Sequence, residues 1–204
     1  TDLSVTAKFE LVSEPGTYVL AWTTTPWTLP GNTALALKSD ANYVKVSIET
    51  MEGLYILAEE RAEDMLKDMK HEIKETLQGS LLVGKSYKPV FPYFLDKEIE
   101  HKENVWKIWH ADFITLDTGT GIAHEAPAFG AEDMDLAKQH GIPVIKHVKM
   151  DGTFIEDVTD FAGMKVKVKD DTQSADIEII KYLAHAGLLF EKHKIIHSYP
   201  LCWR

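Results

Sequence analysis

Two stretches of the sequence bring together side chains that could hold and orient a small polar substrate. The first spans residues 21–37, AWTTTPWTLPGNTALAL, and its hydroxyl groups come from Thr23, Thr24, Thr25 and Thr28. Threonine favours an extended backbone, whereas Pro26 and Pro30 exclude a helix interior and a central strand beyond residue 25. We therefore expect a strand to end here in a rigid loop that presents its hydroxyls to a ligand. The alternative is an edge strand with a solvated threonine face.

The second stretch, residues 119–137, combines an imidazole with carboxylates. Its sequence, GTGIAHEAPAFGAEDMDLA, predicts a glycine turn, a short strand that ends at His124, and a helix that opens at Glu132 and Asp133. Unpaired N–H groups in a first helical turn favour ionised carboxylates, so Asp133 could pair with a cationic group of a ligand. The alternative is structural: Asp133 balances the helix and His124 is a half-buried strand histidine. TGTG without the G-x-x-x-x-G-K-[ST] pattern is a weak indication of a phosphate loop.

The other reactive residue types predict no metal centre, no cofactor site and no nucleophile–base pair. Nothing in the sequence marks a hydroxyl within reach of an imidazole, as a Ser–His–Asp arrangement needs. Cys202 is the single cysteine, which excludes an internal disulfide and a thiolate cluster made by this chain alone. Among nine histidines, His193 and His197 are closely spaced, but they fall in a predicted strand, where i and i+4 lie far apart.

The pattern of elements predicts an α+β fold that is mainly β. Short runs bounded by turn residues predict strands at 5–12, 17–22, 33–37 and 43–49. A few helices are interspersed, and strands and helices do not alternate strictly. We therefore expect a closed or nearly closed β-barrel decorated by a few helices. Residues 1–204 would form a single domain.

Three other segments carry expectations of their own. The proline-rich residues 87–98 predict a surface loop, and residues 143–148 predict a strand. The alternating lysines of KVKVK, residues 165–169, are typical of an edge strand protected by charge. The functional alternative for these lysines is a phosphate contact.

Composition and charge exclude several classes of protein. A chain of 204 residues that is 45% hydrophobic can bury a stable core without disulfides. No apolar run is long enough to cross a bilayer and the N-terminus has no signal-peptide pattern, so we expect a cytoplasmic protein with no membrane partner. A net charge of −10 would repel a nucleic-acid duplex over most of the surface. Any nucleic acid should therefore touch a small site or be held mainly by something else.

Taken together, the two stretches resemble the editing domain of isoleucyl-tRNA synthetase, the insertion called connective polypeptide 1. WTTTPWTLPGN is followed further along the chain by GTGIAHEAPAFGAEDM, and the tail HSYPLCWR, residues 197–204, resembles the segment that returns to the catalytic core. The related valyl and leucyl enzymes typically continue their threonine run as Thr-Arg-Pro, whereas TPWT, residues 25–28, is the isoleucyl form. The sequence departs from the isoleucyl pattern at Gly31, where Ala or Ser is common, and at Leu201, where His is common.

The resemblance implies hydrolytic proofreading. A pocket that selects isoleucine excludes valine poorly, because one methylene is worth only about 1–3 kcal/mol, a limit for which the isoleucyl enzyme is the reference case. A second, smaller site must then hydrolyse the wrong product, here valyl-tRNA for isoleucine, with valyl-adenylate as a second candidate. The ATP signatures of the His-Ile-Gly-His and Lys-Met-Ser-Lys-Ser types are absent, so we expect an excised domain that does not charge tRNA alone. The implied partners are the tRNA acceptor end and the rest of the synthetase in cis.

The resemblance also assigns roles to residues. Asp133 matches the residue thought to pair with the substrate ammonium, and His124 matches the residue that walls the side-chain pocket. The expected catalytic residues are Asp133 with Thr24 and Thr25, which would hold the ester and an attacking water, although strand alternation would point the two threonines to opposite faces. The expected substrate-binding residues are Thr23, Thr28, His124, Trp27 and Asn32. For Trp27 the alternative is a plain core aromatic.

Three other functions stay open at this point. The chain could be a free-standing deacylase that acts in trans, or a module that binds the tRNA end and has lost hydrolysis. It could also be the editing domain of a valyl enzyme, which removes threonine, and competing valine and threonine substrates would separate that case.

Overall fold

A computed structural model describes residues 2–168 and 171–195, in which nine strands form one mixed sheet. The strands are β1 Asp2–Glu10, β2 Thr17–Thr23, β3 Ala34–Leu37, β4 Asn42–Ile48, β5 Met51–Ala58, β6 His71–Gln78, β7 Lys107–His110, β8 Ala123–Glu125 and β9 Leu189–Ile195. The α-helices are α1 Glu59–Leu66, α2 Ala131–His140 and α3 Ser174–His185. Short 3-10 helices cover Pro26–Gly31, Gly79–Leu81 and Lys102–Asn104. The expectation of an α+β chain that is mainly β is confirmed.

The sheet is organised around β2, whose two edges carry different partners. β1 pairs antiparallel with β2 from Tyr18 to Thr23, and β9 pairs antiparallel with β1. On the second edge of β2, β5 pairs in parallel over Thr17–Val19, and β8 pairs in parallel at Trp22. From there β5 continues to β4 and β6, and β8 continues to β3 and β7. The second edge of β2 is therefore a fork with two arms.

The fork leaves the sheet open, which corrects the expectation of a closed or nearly closed barrel. Within the described ranges the outer strands β6, β7 and β9 do not pair with one another. The fork forms because the turn before β8 inserts between the arms: Trp22 N–H donates to Ile122 C=O at 3.1 Å, and Ala58 N–H donates to Thr120 C=O at 2.9 Å. Gly121, with φ of 71°, permits this approach, because a Cβ there would lie 2.5 Å from the Ala58 Cβ.

Three apolar clusters attach the helices to the sheet. The largest joins α3 to β1, to β2 and to the loops after β6, and a second packs Ala62 and Leu66 of α1 against β4 and β5. The third packs Leu136 and Ala137 of α2 beside Ala34 and Ala36 of β3. Because β3 pairs with β8, the third cluster holds the start of α2 close to His124.

Residues 87–98 form a loop, as predicted, and the loop lies only partly on the surface. Tyr87, Val90, Phe91 and Phe94 are buried in the largest cluster. Prolines fix the local backbone, but the aromatic residues between them still take part in the core. The prediction of a loop was correct, and the prediction of its exposure holds for Lys88, Pro92 and residues 95–98 but not for the buried side chains.

Neither residues 143–148 nor the described residues 165–168 form the strand that the sequence predicts. Residues 143–148 contribute an isolated bridge between Val148 and Phe154, and Lys165 contributes another with Thr153. Lys167 has a positive φ of 50° and forms an ion pair with the buried Asp176 at 2.9 Å, so it does not guard a sheet edge. Lys169, His197 and the whole tail 197–204, with Leu201 and Cys202, lie outside the described residues. None of the described helices combines the length and apolar character that crossing a membrane requires.

Candidate active site

The threonine loop has a defined backbone path. β2 ends at Thr23, whose Oγ1 accepts a hydrogen bond from Thr25 N–H at 3.1 Å, a local turn that threonine favours. The 3-10 helix Pro26–Gly31 follows, with Pro26 in its first turn, where a missing N–H leaves no bond unmade. The strand therefore ends at the threonines in a proline-stiffened segment, as the sequence predicts.

Two partly buried contacts hold the first turn of this 3-10 helix. Trp27 N–H donates to Asp176 Oδ1 at 3.0 Å, and the Trp27 C=O lies 3.0 Å from His147 Nε2. Asp176 is paired with Lys167 through its other oxygen, which compensates the burial of its charge. Burial lowers the pKa of His147 to about 4, so its ring is neutral at pH 7 and Nε2–H donates to the backbone. The loop is thus fixed by groups from distant parts of the chain.

A cleft of about 220 Å³ lies between this loop and the start of α2. Its lining consists of Thr23, Thr25, Thr28, His124, Ala126, Phe129, Gly130 and Asp133. The two stretches that the sequence singled out therefore meet in one cavity. Hydroxyl groups form one wall, and an imidazole, a carboxylate and an aromatic ring form the others.

Asp133 is held against the backbone at the start of α2. Its Oδ2 accepts the Ala126 N–H at 2.7 Å, and it lies in the first turn of the helix, where carboxylates are stabilised. A Cβ on Gly130 would lie 2.2 Å from Asp133 Oδ1. Glycine at position 130 therefore makes room for the carboxylate beside the cleft.

His124 is fixed at both ring nitrogens and is neutral. Nδ1 lies 2.8 Å from Asn32 Nδ2, and Nε2 lies 2.9 Å from Thr28 Oγ1. The side chain is 8% exposed, and burial, with a smaller contribution from His147, lowers its pKa to about 3. An uncharged ring anchored on both sides can serve as a rigid wall.

Glu125 is a functional candidate that the sequence did not single out. It follows His124 in β8, is 2% exposed, and its Oε2 has no hydrogen-bond partner among the described residues. Burial and the neighbouring charge of Asp133 raise its pKa well above the usual value, so the folded chain favours a neutral carboxylic acid here. Glu125 lines a second cleft of about 240 Å³, which shares His124 and Asp133 with the first.

Five of the eight predicted site residues line the first cleft, namely Thr23, Thr25, Thr28, His124 and Asp133. Thr24 is outside this lining, as alternation along an extended backbone would place it. Asn32 lies beneath the cleft and bonds to His124. Trp27 packs edge-on against Phe129 with ring centroids 5.0 Å apart, so it supports the lining from behind. The catalytic and binding roles of all eight stay predictions.

Sequence reasoning missed three contributors besides Glu125. Phe129 and Ala126 line the cleft, and the only indication of them was that Ala126 precedes Pro127 and Phe129 precedes Gly130. Tyr87 donates to Asn32 Oδ1 at 2.6 Å from a loop far away in sequence, which no local pattern could reveal. Among the described residues no group of three or more His, Cys, Asp or Glu could hold a metal ion.

Comparison with known proteins finds relatives of one kind. No protein-family model matches the chain. Over its full length it is 41% identical to isoleucine–tRNA ligase of Bdellovibrio bacteriovorus, where it covers 19% of that protein. It is 40% identical over 97% of its length to the Clostridium tetani enzyme and 41% identical over its full length to the cytoplasmic enzyme of Saccharomyces cerevisiae. The chain is homologous to isoleucyl-tRNA synthetases. It spans about a fifth of the length of these synthetases.

Solved structures agree on the fold of this chain. GlLeuRS-CP1 matches with a TM-score of 0.68 at 16% identity, over 95% of this chain and 100% of that one. The editing domain of the Plasmodium falciparum cytosolic leucyl-tRNA synthetase matches with a TM-score of 0.52 at 11% identity, over 69% of this chain and 68% of that one. At these identities the likeness establishes the fold alone, which is that of a synthetase editing domain.

Proposed function

We propose that this chain is the proofreading unit of an isoleucyl-tRNA synthetase and that it hydrolyses valine from tRNA for isoleucine. One observation carries the proposal: a single cleft joins the threonine hydroxyls of the 21–37 stretch to His124 and Asp133. An aminoacyl ester offers an ammonium, a small apolar side chain and a reactive carbonyl, and the cleft has a counterpart for each.

The cleft accounts for charge recognition through Asp133. Asp133 is the one carboxylate among the lining residues, and its Oδ2 is already oriented by Ala126 N–H. The substrate ammonium would pair with it. A carboxylate left without a charge partner in a desolvated cleft is unfavourable, so substrates without an α-amino group would bind poorly.

Size selection follows from His124. Its ring is bonded at both nitrogens and cannot turn aside without breaking a buried hydrogen bond. Steric exclusion by such a wall can be sharp, whereas preference for a larger group is limited by burial energy. The two methyl groups of valine would fit beside the ring, and the additional methylene of isoleucine would not.

Hydrolysis would use a water held between the threonine wall and the substrate carbonyl. Water oxygen bonds to the carbonyl carbon, the ester bond to the ribose oxygen breaks, and the proton lost by water replaces the acyl group on the ribose. Positioning and oriented dipoles supply the rate, because an aminoacyl ester is already reactive. With the acyl group in the first cleft, the ribose and base would extend into the second, since the two share a wall.

The remaining assignments concern partners and compartment. We propose the acceptor end of tRNA for isoleucine and the synthetase core in cis as partners, because the acidic surface offers little affinity for RNA on its own. Valyl-adenylate is a second candidate substrate, because it shares the ammonium, side chain and reactive carbonyl. The word cytoplasmic in the name of the yeast relative supports the same compartment here.

The experiment is a deacylation assay with three labelled substrates. Valyl-tRNA for isoleucine, isoleucyl-tRNA for isoleucine and threonyl-tRNA for valine are incubated with the chain, and free amino acid is measured. We expect valine release well above the buffer rate, with isoleucine spared. A valyl ester of adenosine, which needs no RNA affinity, is tested in parallel. If the chain hydrolyses neither valyl-tRNA nor the valyl ester of adenosine, the proposal is contradicted. Preferential release of threonine would assign the chain to valyl proofreading instead.

A further inference from the structure

A chain of hydrogen bonds runs from Tyr87 to the cleft, and its direction follows from the donors available. The Ala34 C=O can only accept, so the Asn32 atom 2.9 Å from it is the amide nitrogen. Asn32 Oδ1 then faces Tyr87, whose hydroxyl donates to it at 2.6 Å. The orientation of the Asn32 amide is thus fixed from two sides.

The same direction continues through His124. The second Asn32 N–H reaches His124 Nδ1 at 2.8 Å, so Nδ1 accepts and Nε2 carries the ring proton. Nε2–H donates to Thr28 Oγ1 at 2.9 Å, and the Thr28 hydroxyl donates to the Thr25 C=O at 2.8 Å. In a doubly protonated ring, the Nδ1–H of His124 and the N–H of Asn32 would point at each other without an acceptor between them. The network therefore excludes the charged form on geometry alone.

The direction of hydrogen-bond donation is also fixed for the threonines of the cleft wall. Thr25 Oγ1 lies 3.3 Å from Thr28 Oγ1, and because Thr28 has used its proton, Thr25 is the donor of that pair. Thr25 Oγ1 also lies 3.3 Å from Thr23 Oγ1, so Thr23 is the donor there. The Thr25 hydroxyl is left with a free lone pair and no free proton toward the cleft.

We propose that Tyr87 is a positioning residue that acts through Asn32 to hold His124 in its Nε2–H tautomer, which makes the Thr25 hydroxyl an acceptor toward the cleft. The consequence for catalysis rests on the proposed function. A group beside Thr25 must donate a hydrogen bond, as an ammonium or a water does and an ester carbonyl does not. Tyr87 is 2% exposed and packs edge-on against Phe9, with ring centroids 5.3 Å apart, so its hydroxyl has a fixed position.

The tautomer can be observed by nuclear magnetic resonance on the chain labelled with ¹⁵N at histidine. We expect His124 to show an unprotonated Nδ1 and a protonated Nε2 at pH 7. Asn32→Asp keeps the side-chain shape but replaces the amide donor by an oxygen that accepts from the ring. In that variant we expect the other tautomer of His124, with Nδ1 protonated and Nε2 unprotonated.

Tyr87→Phe removes the hydroxyl and keeps the ring that packs on Phe9. We expect a second set of His124 ring resonances with Nδ1 protonated, together with a roughly tenfold lower kcat for valine release and an unchanged KM. Tyr55→Phe is the matched control, because it removes another buried tyrosine hydroxyl, bonded to Glu52 C=O in a separate cluster. The control should leave the His124 resonances and kcat as in the parent chain.

The outcomes separate this inference from the proposed function. A parent chain with Nδ1 protonated, or variants at Asn32 and Tyr87 whose His124 resonances do not change, would overturn the positioning role even if valine is released. The expected tautomers in a folded chain that releases no valine would support the positioning role and contradict the proofreading assignment. Circular dichroism of each variant checks that folding is retained.

Discussion

At the scale of single residues, the cleft combines one carboxylate, Asp133, with otherwise uncharged side chains. Asp133 is the one carboxylate among the lining residues, His124 is uncharged, and the remaining contacts come from hydroxyls and apolar groups. Little else in the cleft could compensate a substrate ammonium. Recognition of the amino group and exclusion of the larger side chain are therefore separable by mutation.

Asp133→Asn should abolish most of the deacylation of valyl-tRNA for isoleucine. The amide keeps the shape and can still accept from Ala126 N–H, but the ion pair with the ammonium is lost. Loss of a desolvated charge partner costs about 2–5 kcal/mol, which corresponds to a drop in kcat/KM of about 30-fold or more. Asp135→Asn, on the exposed side of the same helix, is the control and should retain activity. Equal activity of the two variants would exclude the ammonium contact.

His124→Ala should let the chain attack isoleucyl-tRNA, because the wall that blocks the additional methylene is removed. The measurement is the ratio of isoleucine release to valine release, which we expect to rise by at least tenfold, in the range of about 1–3 kcal/mol for one methylene. His185→Ala, at the exposed end of α3, controls for histidine removal. A variant that still spares isoleucine would show that something other than His124 limits the pocket.

At the scale of elements, the site forms where a 3-10 helix, a three-residue strand and a helix start converge. The residue types of the threonine loop and of α2 are set by local rules, since prolines, β-branched residues and glycines limit the backbone at each point. That is why these elements were predictable from the sequence. The fork in the sheet and the burial of Tyr87 were not, because they depend on hydrogen bonds and packing between residues distant in sequence.

Gly31 couples the 3-10 helix to the segment around His147. A Cβ at Gly31 would lie 2.0 Å from His147 Nδ1, so Gly31→Ala must displace either the ring or the helix. We expect it to lower the free energy of unfolding by about 1–3 kcal/mol, the usual cost of overpacking, as measured by urea denaturation.

The double variant Gly31→Ala with His147→Ala tests the origin of that cost. Removing the ring eliminates the clash, so the effect of Gly31→Ala should be much smaller in the His147→Ala background. If the two substitutions are additive, the contact between position 31 and the ring does not limit the residue at 31.

At the scale of the whole molecule, the fold keeps three titratable groups neutral beneath the site. Burial lowers the pKa of His124 to about 3 and of His147 to about 4, and it raises the pKa of Glu125. In the unfolded chain the two histidines would be protonated below about pH 6.5, and Glu125 would be ionised above about pH 4.5. Burial in the folded chain favours the neutral form of all three groups. Stability must therefore depend on pH, and the two histidines and Glu125 act in opposite directions.

The two histidines should make the chain lose stability below pH 6.5, because the unfolded state then binds protons that the folded state does not. Each contributes about 1.4 kcal/mol per pH unit until its folded pKa is reached. Glu125 opposes this loss above pH 4.5, because its raised folded pKa favours the protonated form where the unfolded chain is ionised, so Glu125→Gln should steepen the decline as the pH approaches 4.5. Urea denaturation at several pH values measures both slopes. Equal slopes for Glu125→Gln and the parent chain would contradict a raised Glu125 pKa in the folded state.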